Sequence, residues 1–283
     1  LKELDNNNFL LTGYTVSNNS ADNIWIMQTD NTGSLLNSFH RKTEYFDDSP
    51  PYNEICCDNE LEMLSLVDSN GDGVWNEYNN DTRGFDIIQD GDEFIVVGYI
   101  ELNNEKDIFI SKYNSELNEL IWEKVWENPG NDEAYSIVKD NNDFIITGYK
   151  TNNYNGDKDI VILKIQSNGE NLQEILFSSN GMQDEIANKI IKTSDDYFLL
   201  VGYTASYGNG GKDIFIVKFR DSLTEWSHTY GCELDDIGYD VKETFEGTKG
   251  GYIIGGKIYN ENTDAWFIKT NHNGESTQII CND

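Results

Sequence analysis

The chain has 283 residues, and 51 acidic against 20 basic side chains give it a formal charge of −31 and a pI near 4.2. That balance excludes nucleic acid as a partner, because phosphate binding needs a basic footprint. With 37% apolar and 12% aromatic residues, the chain can bury a sizeable core, which excludes disorder over most of its length.

No apolar run approaches the roughly 18 to 20 residues of a membrane-spanning helix, so membrane insertion is not expected. The sequence opens at Leu1 without an initiator Met and reads as a mature or trimmed soluble fragment.

Apolar runs closed by glycine recur along the chain. They are Phe9-Leu-Leu-Thr-Gly13-Tyr14, Phe94-Ile-Val-Val-Gly98-Tyr99, Phe144-Ile-Ile-Thr-Gly148-Tyr149, Phe198-Leu-Leu-Val-Gly202-Tyr203 and Tyr252-Ile-Ile-Gly-Gly256, with glycines 85, 50, 54 and 54 residues apart. A second run follows each: Asn23-Ile-Trp-Ile-Met-Gln28, Asp107-Ile-Phe-Ile-Ser-Lys112, Asp159-Ile-Val-Ile-Leu-Lys164, Asp213-Ile-Phe-Ile-Val-Lys218 and Asp264-Ala-Trp-Phe-Ile-Lys269. The long first gap holds a degenerate copy, marked by Leu61-Glu-Met-Leu-Ser-Leu66. Turn residues come next, as in Asp30-Asn-Thr-Gly33, Gln166-Ser-Asn-Gly169 and Asn271-His-Asn-Gly274, where Asn and Gly tolerate positive φ. A fourth run carries Trp75, Trp122 or Trp226, and a run before the glycine motif opens on a small residue, Gly84, Ala134, Ala187 or Gly238.

Four β-branched and aromatic runs per unit of about 50 residues predict four short strands per copy, with helical periodicity confined to a faint signal over 183–192. Strands at that spacing in a repeat of that length predict an all-β protein, a β-propeller of six four-stranded blades with a degenerate second blade. The blades are read as 1–44, 45–80, 81–128, 129–180, 181–230 and 231–283 of a single domain, and the small opening residues are read as an answer to crowding near the axis. The Phe-Ile-Ile-x-Gly-Tyr, Asp-Ile-x-Ile-x-Lys and Ser-Asn-Gly elements resemble the repeats of secreted bacterial and archaeal β-propellers, including the delta-60 type. The resemblance implies a fold and a secreted or surface-attached life; it implies no activity and carries over no functional residue.

A four-strand meander brings the loops before each first strand and those joining each second strand to the third onto one face. That face is expected to collect Asp81, Asp132, Asp184, Asp235 and Asp236 with Asp107, Asp159, Asp213 and Asp264, flanked by Tyr154, Tyr207 and Tyr259. The recurring acids have two readings: a carboxylate-lined mouth for cations, basic partners or sugar hydroxyls, or caps that hydrogen-bond turns and strand starts. Asp68, Asn70, Asp72 and Asn76, with Gly73 at the turn, resemble the front of a calcium loop, although Asn79 stands where a bidentate Glu is usual. Lys112, Lys164, Lys218 and Lys269 are read as ends of buried strands with their ammoniums beside acids.

Catalytic groups are scarce. His40, His228 and His272 are the only histidines, and no GxSxG, HExxH, P-loop or dinucleotide fingerprint occurs. Cys56, Cys57, Cys232 and Cys281 lack metal-ligand spacing, and buried thiols or disulfides in an oxidising compartment both fit them. The expectation is an extracellular or cell-surface, non-enzymatic module presenting an acidic face to a protein or glycan partner, with no required cofactor and calcium as an optional ligand. Two rivals stand beside it: a carbohydrate-active hydrolase or lyase using carboxylates at the mouth, and a structural component of a surface assembly.

Overall fold

In the computed structural model, residues 2–4, 8–17, 20–40, 81–175, 183–245, 250–260 and 262–276 are described. They form strands and turns, with no helix among them. The strands are β1 (Lys2–Glu3), β2 (Phe9–Ser17), β3 (Ser20–Thr29), β4 (Leu35–His40), β5 (Thr82–Asp90), β6 (Glu93–Leu102), β7 (Glu105–Tyr113), β8 (Leu120–Trp126), β9 (Glu133–Asp140), β10 (Asp143–Thr151), β11 (Lys158–Gln166), β12 (Gln173–Glu174), β13 (Glu185–Lys192), β14 (Phe198–Thr204), β15 (Asp213–Arg220), β16 (Leu223–Tyr230), β17 (Ile237–Thr244), β18 (Gly251–Asn260) and β19 (Asn262–Asn271). They make five separate, open antiparallel sheets in simple chain order, four of four strands and one, β17-β18-β19, of three.

Packing divides the chain into two compact units, 1–104 with 109–125, and 105–108 with 126–283. In the first, sheet β1–β4 lies face to face on sheet β5–β8, burying Leu10, Ile24, Ile26, Ile87, Val96 and Phe109. Residues 45–80, read as a second blade, and the calcium-like Asp68, Asn70, Asp72 and Asn76 lie outside the described residues. In the second unit, β13 packs on β9, β10 and β11, and β17 packs on β13, β14 and β15.

In the sheets β5–β8, β9–β12 and β13–β16 the second and third strands are covered on both faces, which is why their sequences run apolar without alternation. All seven residues of β14 are buried, as are seven of the eight in β15. Fourth strands form the outer edge and are the more exposed, as β16 is. The faint helical signal over 183–192 belongs to strand β13, whose Ile186, Ala187 and Ile190 face the core.

Glycine recurs in the second strands because of a bulge in the first. In β5, β9, β13 and β17 the ladder slips by one residue just after Gly84, Ala134, Ala187 and Gly238, which pair with Gly98, Gly148, Gly202 and Gly256. The bulge drives a carbonyl toward the partner strand, so a Cβ on Gly98, Gly148 or Gly202 would overlap the carbonyl oxygen of Arg83, Glu133 or Ile186. The small opening residues are fitted to a close neighbour. A Cβ on Gly84 would meet Thr12 and Ile24, and one on Gly238 would meet Val201 and Ile214, so the preceding sheet sets their size.

Gly13 has nothing within 4 Å of its Cβ position and supplies the control. Gly148→Ala is expected to cost at least about 3 kcal/mol in urea unfolding, because the obstacle is backbone, whereas Gly13→Ala should stay within about 0.5 kcal/mol of the parent.

Candidate functional site

The predicted acids and tyrosines of the second unit gather where its second-to-third-strand hairpins meet the segments that lead into the next first strand. Counting back from the small residue that faces the motif glycine puts them in register. Two residues before it stand Asp132, Glu185 and Asp236, each wholly buried; three before it stand Asn131, Asp184 and Asp235. The outer position caps the preceding sheet: Asn131, Asp184 and Asp235 accept the backbone N–H of Lys106, Lys158 and Lys212 through a side-chain oxygen at 3.0 Å each.

The buried position fastens hairpins. Asp132 Oδ1 accepts the Thr151 N–H at 2.8 Å, at the base of the loop that carries Tyr154. Asp236 Oδ1 accepts the Tyr259 N–H at 3.1 Å, and its Oδ2 accepts the Cys232 N–H at 2.7 Å. Asp213, at the start of β15, accepts the Asn209 N–H at 3.0 Å from within the Tyr207 loop. Gly208, at φ +108°, lets that loop close round the carboxylate, because a Cβ there would strike it. What these loops turn outward is aromatic: Tyr154 is fully exposed, and Tyr207 and Tyr259 are about two-fifths exposed at 41% and 42%.

Burial without a paired cation shows in the titration of these groups. It pushes Asp132 up to about 7, partly offset by the Thr151 amide and by the Asn128 side chain, which lies close without reaching hydrogen-bond geometry. Burial likewise pushes Asp107 and Asp213 up to about 6 and raises Asp236. Asp107 accepts the Asn128 N–H weakly, at 3.4 Å, and Asp159 accepts the Asn152 amide at 2.8 Å. Asp81 lies in the first unit, where its carbonyl accepts the Glu101 N–H at 2.7 Å, and Asp264 is exposed on β19.

Glu133 and Glu185 join the buried acids without having been singled out from the sequence. Glu133 takes the Lys106 ammonium at 2.6 Å and the hydroxyls of Tyr135 and Tyr149 at 2.9 and 3.0 Å. Burial foremost, then the Glu133 charge, raises both phenols well above the ordinary range. Lys158 stacks over the Tyr149 ring at 4.0 Å and Lys212 over Tyr203 at 4.3 Å, so the motif tyrosines each carry a cation on one face.

Three of the four stripe lysines sit beside acids as expected: Lys112 pairs with Asp90 and Glu93, Lys164 with Asp143, and Lys218 with Asp195. Among the described residues, no three His, Cys, Asp or Glu side chains converge as a metal centre. A shallow apolar depression lined by Phe9, Leu11, Met27, Thr29 and Gly33 lies in the first unit and contains none of the predicted site residues.

No family model matches the chain, and no curated protein matches it. Among solved structures it overlaps a Bombyx mori β-fructofuranosidase of glycoside hydrolase family 32, solved as a variant in complex with sucrose, at 11% identity and a TM-score of 0.41 over 88% of this chain and 52% of that one. It also overlaps a glycoside hydrolase at 10% identity and a TM-score of 0.35, over 65% of this chain and 44% of that one. The chain spans about half the length of these structures. Overlap this loose carries nothing to the site.

Removing the acceptor shared by Lys106, Tyr135 and Tyr149 should be costly. Glu133→Ala is expected to lose about 3 kcal/mol in urea unfolding, by taking the acceptor from the buried Tyr149 hydroxyl and the partner from the Lys106 ammonium, and Glu133→Gln about half of that.

Proposed function

We propose that the chain is a non-enzymatic, extracellular binding module, its sheets blades of a β-propeller, and that the tyrosine hairpins of the second unit take up a glycan. The observation that carries this reading is the set Tyr154, Tyr207 and Tyr259, exposed on three successive hairpins whose bases are fixed by buried aspartates. Rigid aromatic rings offer flat apolar faces for the C–H faces of sugar rings, and a phenol tip for their hydroxyls. Exposed carboxylates beside them, such as Glu233 and Asp235, accept further hydroxyl donors.

Hydrolysis at this face finds less support. A glycosidase needs two carboxyls flanking the scissile bond, whereas Asp107, Asp132, Asp213 and Asp236 are at most 7% exposed and are hydrogen-bonded to backbone amides. Cys232 is disulfide-bonded, which favours an oxidising, extracellular setting. Cys56, Cys57 and Cys281 lie outside the described residues. The reading requires no cofactor. A basic protein is the second reading, favoured by the charge of −31.

Glycan-array screening at pH 5 and 7.5, followed by calorimetry, tests the proposal. The combined Tyr154→Ala, Tyr207→Ala and Tyr259→Ala variant should bind at least about tenfold more weakly with an unchanged circular-dichroism spectrum. An array on which the parent binds nothing, or a variant that binds as the parent does, contradicts it. Capture of a basic protein that is lost between about 0.05 and 0.5 M salt would favour the second reading.

A further inference from the structure

We propose that the Tyr154 and Tyr207 hairpins are held by a proton-dependent latch, in which protonated Asp132 and Asp213 keep the hairpins docked and their ionisation releases them. The consequence for ligand uptake rests on the glycan reading above; the latch itself does not.

Asp132 is fully enclosed, and only one of its oxygens is used. Oδ1 accepts the Thr151 N–H, while the buried Oδ2 has no hydrogen-bond partner. The charges around it do not compensate an ionised form. Asp107 faces it from the start of β7 and repels it; Lys150 on β10 attracts it, but the Lys150 ammonium is bound to Glu174 at 2.5 Å. Lys106, whose carbonyl accepts the Asp132 N–H, sends its ammonium to Glu133. Asp107 in turn faces Glu105 and Glu127. A proton on Oδ2 removes a buried, unpaired negative oxygen and leaves the Thr151 bond in place, since a neutral carboxyl still accepts through its carbonyl oxygen.

The second copy reaches the same condition by different contacts. Asp236 uses both oxygens on backbone amides, so it keeps its charge at least cost. Asp213 accepts the Asn209 N–H through Oδ2, and the nearby Asp236 charge repels its ionised form. Both Asp213 Oδ1 and Asp236 Oδ2 crowd the point where a Cβ on Gly231 would sit, so glycine there leaves room for both carboxyls. Asp235, the other neighbouring acid, lies against Asp236 and accepts the Lys212 N–H, while the Lys212 ammonium sits over Tyr203. A proton taken from solvent by Asp213 removes this repulsion and leaves the Asn209 bond in place, since a neutral carboxyl still accepts through its carbonyl oxygen.

Both groups lie above the ordinary carboxylate value of 3.8, Asp132 at about 7 and Asp213 at about 6. The folded chain therefore holds protons that the unfolded chain releases. Their stabilising contribution is complete below about pH 4 and is lost as pH rises through 6 to 7.

Amide hydrogen exchange on the intact chain at pH 5 and pH 8, corrected for intrinsic rates, tests the latch without any ligand. Amides of 151–157 and 205–212 should lose at least about tenfold protection at pH 8. Asp132→Asn should abolish that pH dependence in the first segment only, and Asp213→Asn in the second only. Equal protection at the two pH values in the parent chain, or pH dependence that survives both substitutions, overturns the proposal; if a variant fails to fold, the parent comparison decides alone. Insensitive hairpins would leave the glycan reading standing, and a silent glycan array would leave the latch standing.

Discussion

A carboxylate removed from water must be given other hydrogen-bond donors, and in this chain those donors are mostly backbone amides of hairpins contributed by the sheets. Asp132 takes Thr151, Asp213 takes Asn209, and Asp236 takes both Tyr259 and Cys232. One amide bond does not replace the hydration of a full charge, so the groups stay partly uncompensated and their protons are held tightly. The same bonds make the loops short-range extensions of the sheet framework, and the aromatic tips inherit that placement. Packing, electrostatics and the candidate binding face thus share one set of atoms.

The glycine motif expresses a related constraint on the backbone. A bulge after each small opening residue turns a carbonyl into the neighbouring strand, and only a residue without Cβ accommodates it. The extra residue of the bulge lies three residues beyond the buried acid position, so the strand distortion and the hairpin fastening fall in the same few residues. Gly13 keeps the motif although its Cβ position is open, which is a departure for which the first sheet offers no packing reason.

Strand identity was legible because two physical signals coincide in it. Runs such as Phe144-Ile-Ile-Thr-Gly148 and Asp159-Ile-Val-Ile-Leu-Lys164 are β-branched, lack alternation and end in turn chemistry, and they became β10 and β11, paired residue for residue. The turn at Asp30 was readable for the same reason, with its carboxylate taking the Thr32 and Ser34 amides and Gly33 at φ +87°. Site register was harder to read. Asp132 and Asp184 both precede a first strand, yet they differ by one position, and one position in extended chain exchanges a buried side chain for a half-buried cap. Glu185, the true counterpart of Asp132 and Asp236, was passed over because it is not an Asp. Counting from the paired glycine, rather than by residue type, is the signal that recovers it. The weak helical periodicity at 183–192 misled for a simpler reason: Ile186, Ala187 and Ile190 happen to fall at helical spacing in a strand distorted by its bulge.

Function was less legible, because the most perturbed groups are structural by position. A raised carboxyl in a cleft suggests an acid catalyst, but these acids are enclosed and engaged, and the outward-facing groups are tyrosines and ordinary surface acids. The central claim, that buried aspartates without cations hold the hairpins, is tested most directly by carboxyl-carbon NMR titration of aspartate-labelled protein. Resonances of Asp107, Asp132 and Asp213 should titrate near 6, 7 and 6. Titration of all three in the ordinary range around 3.8 would contradict it.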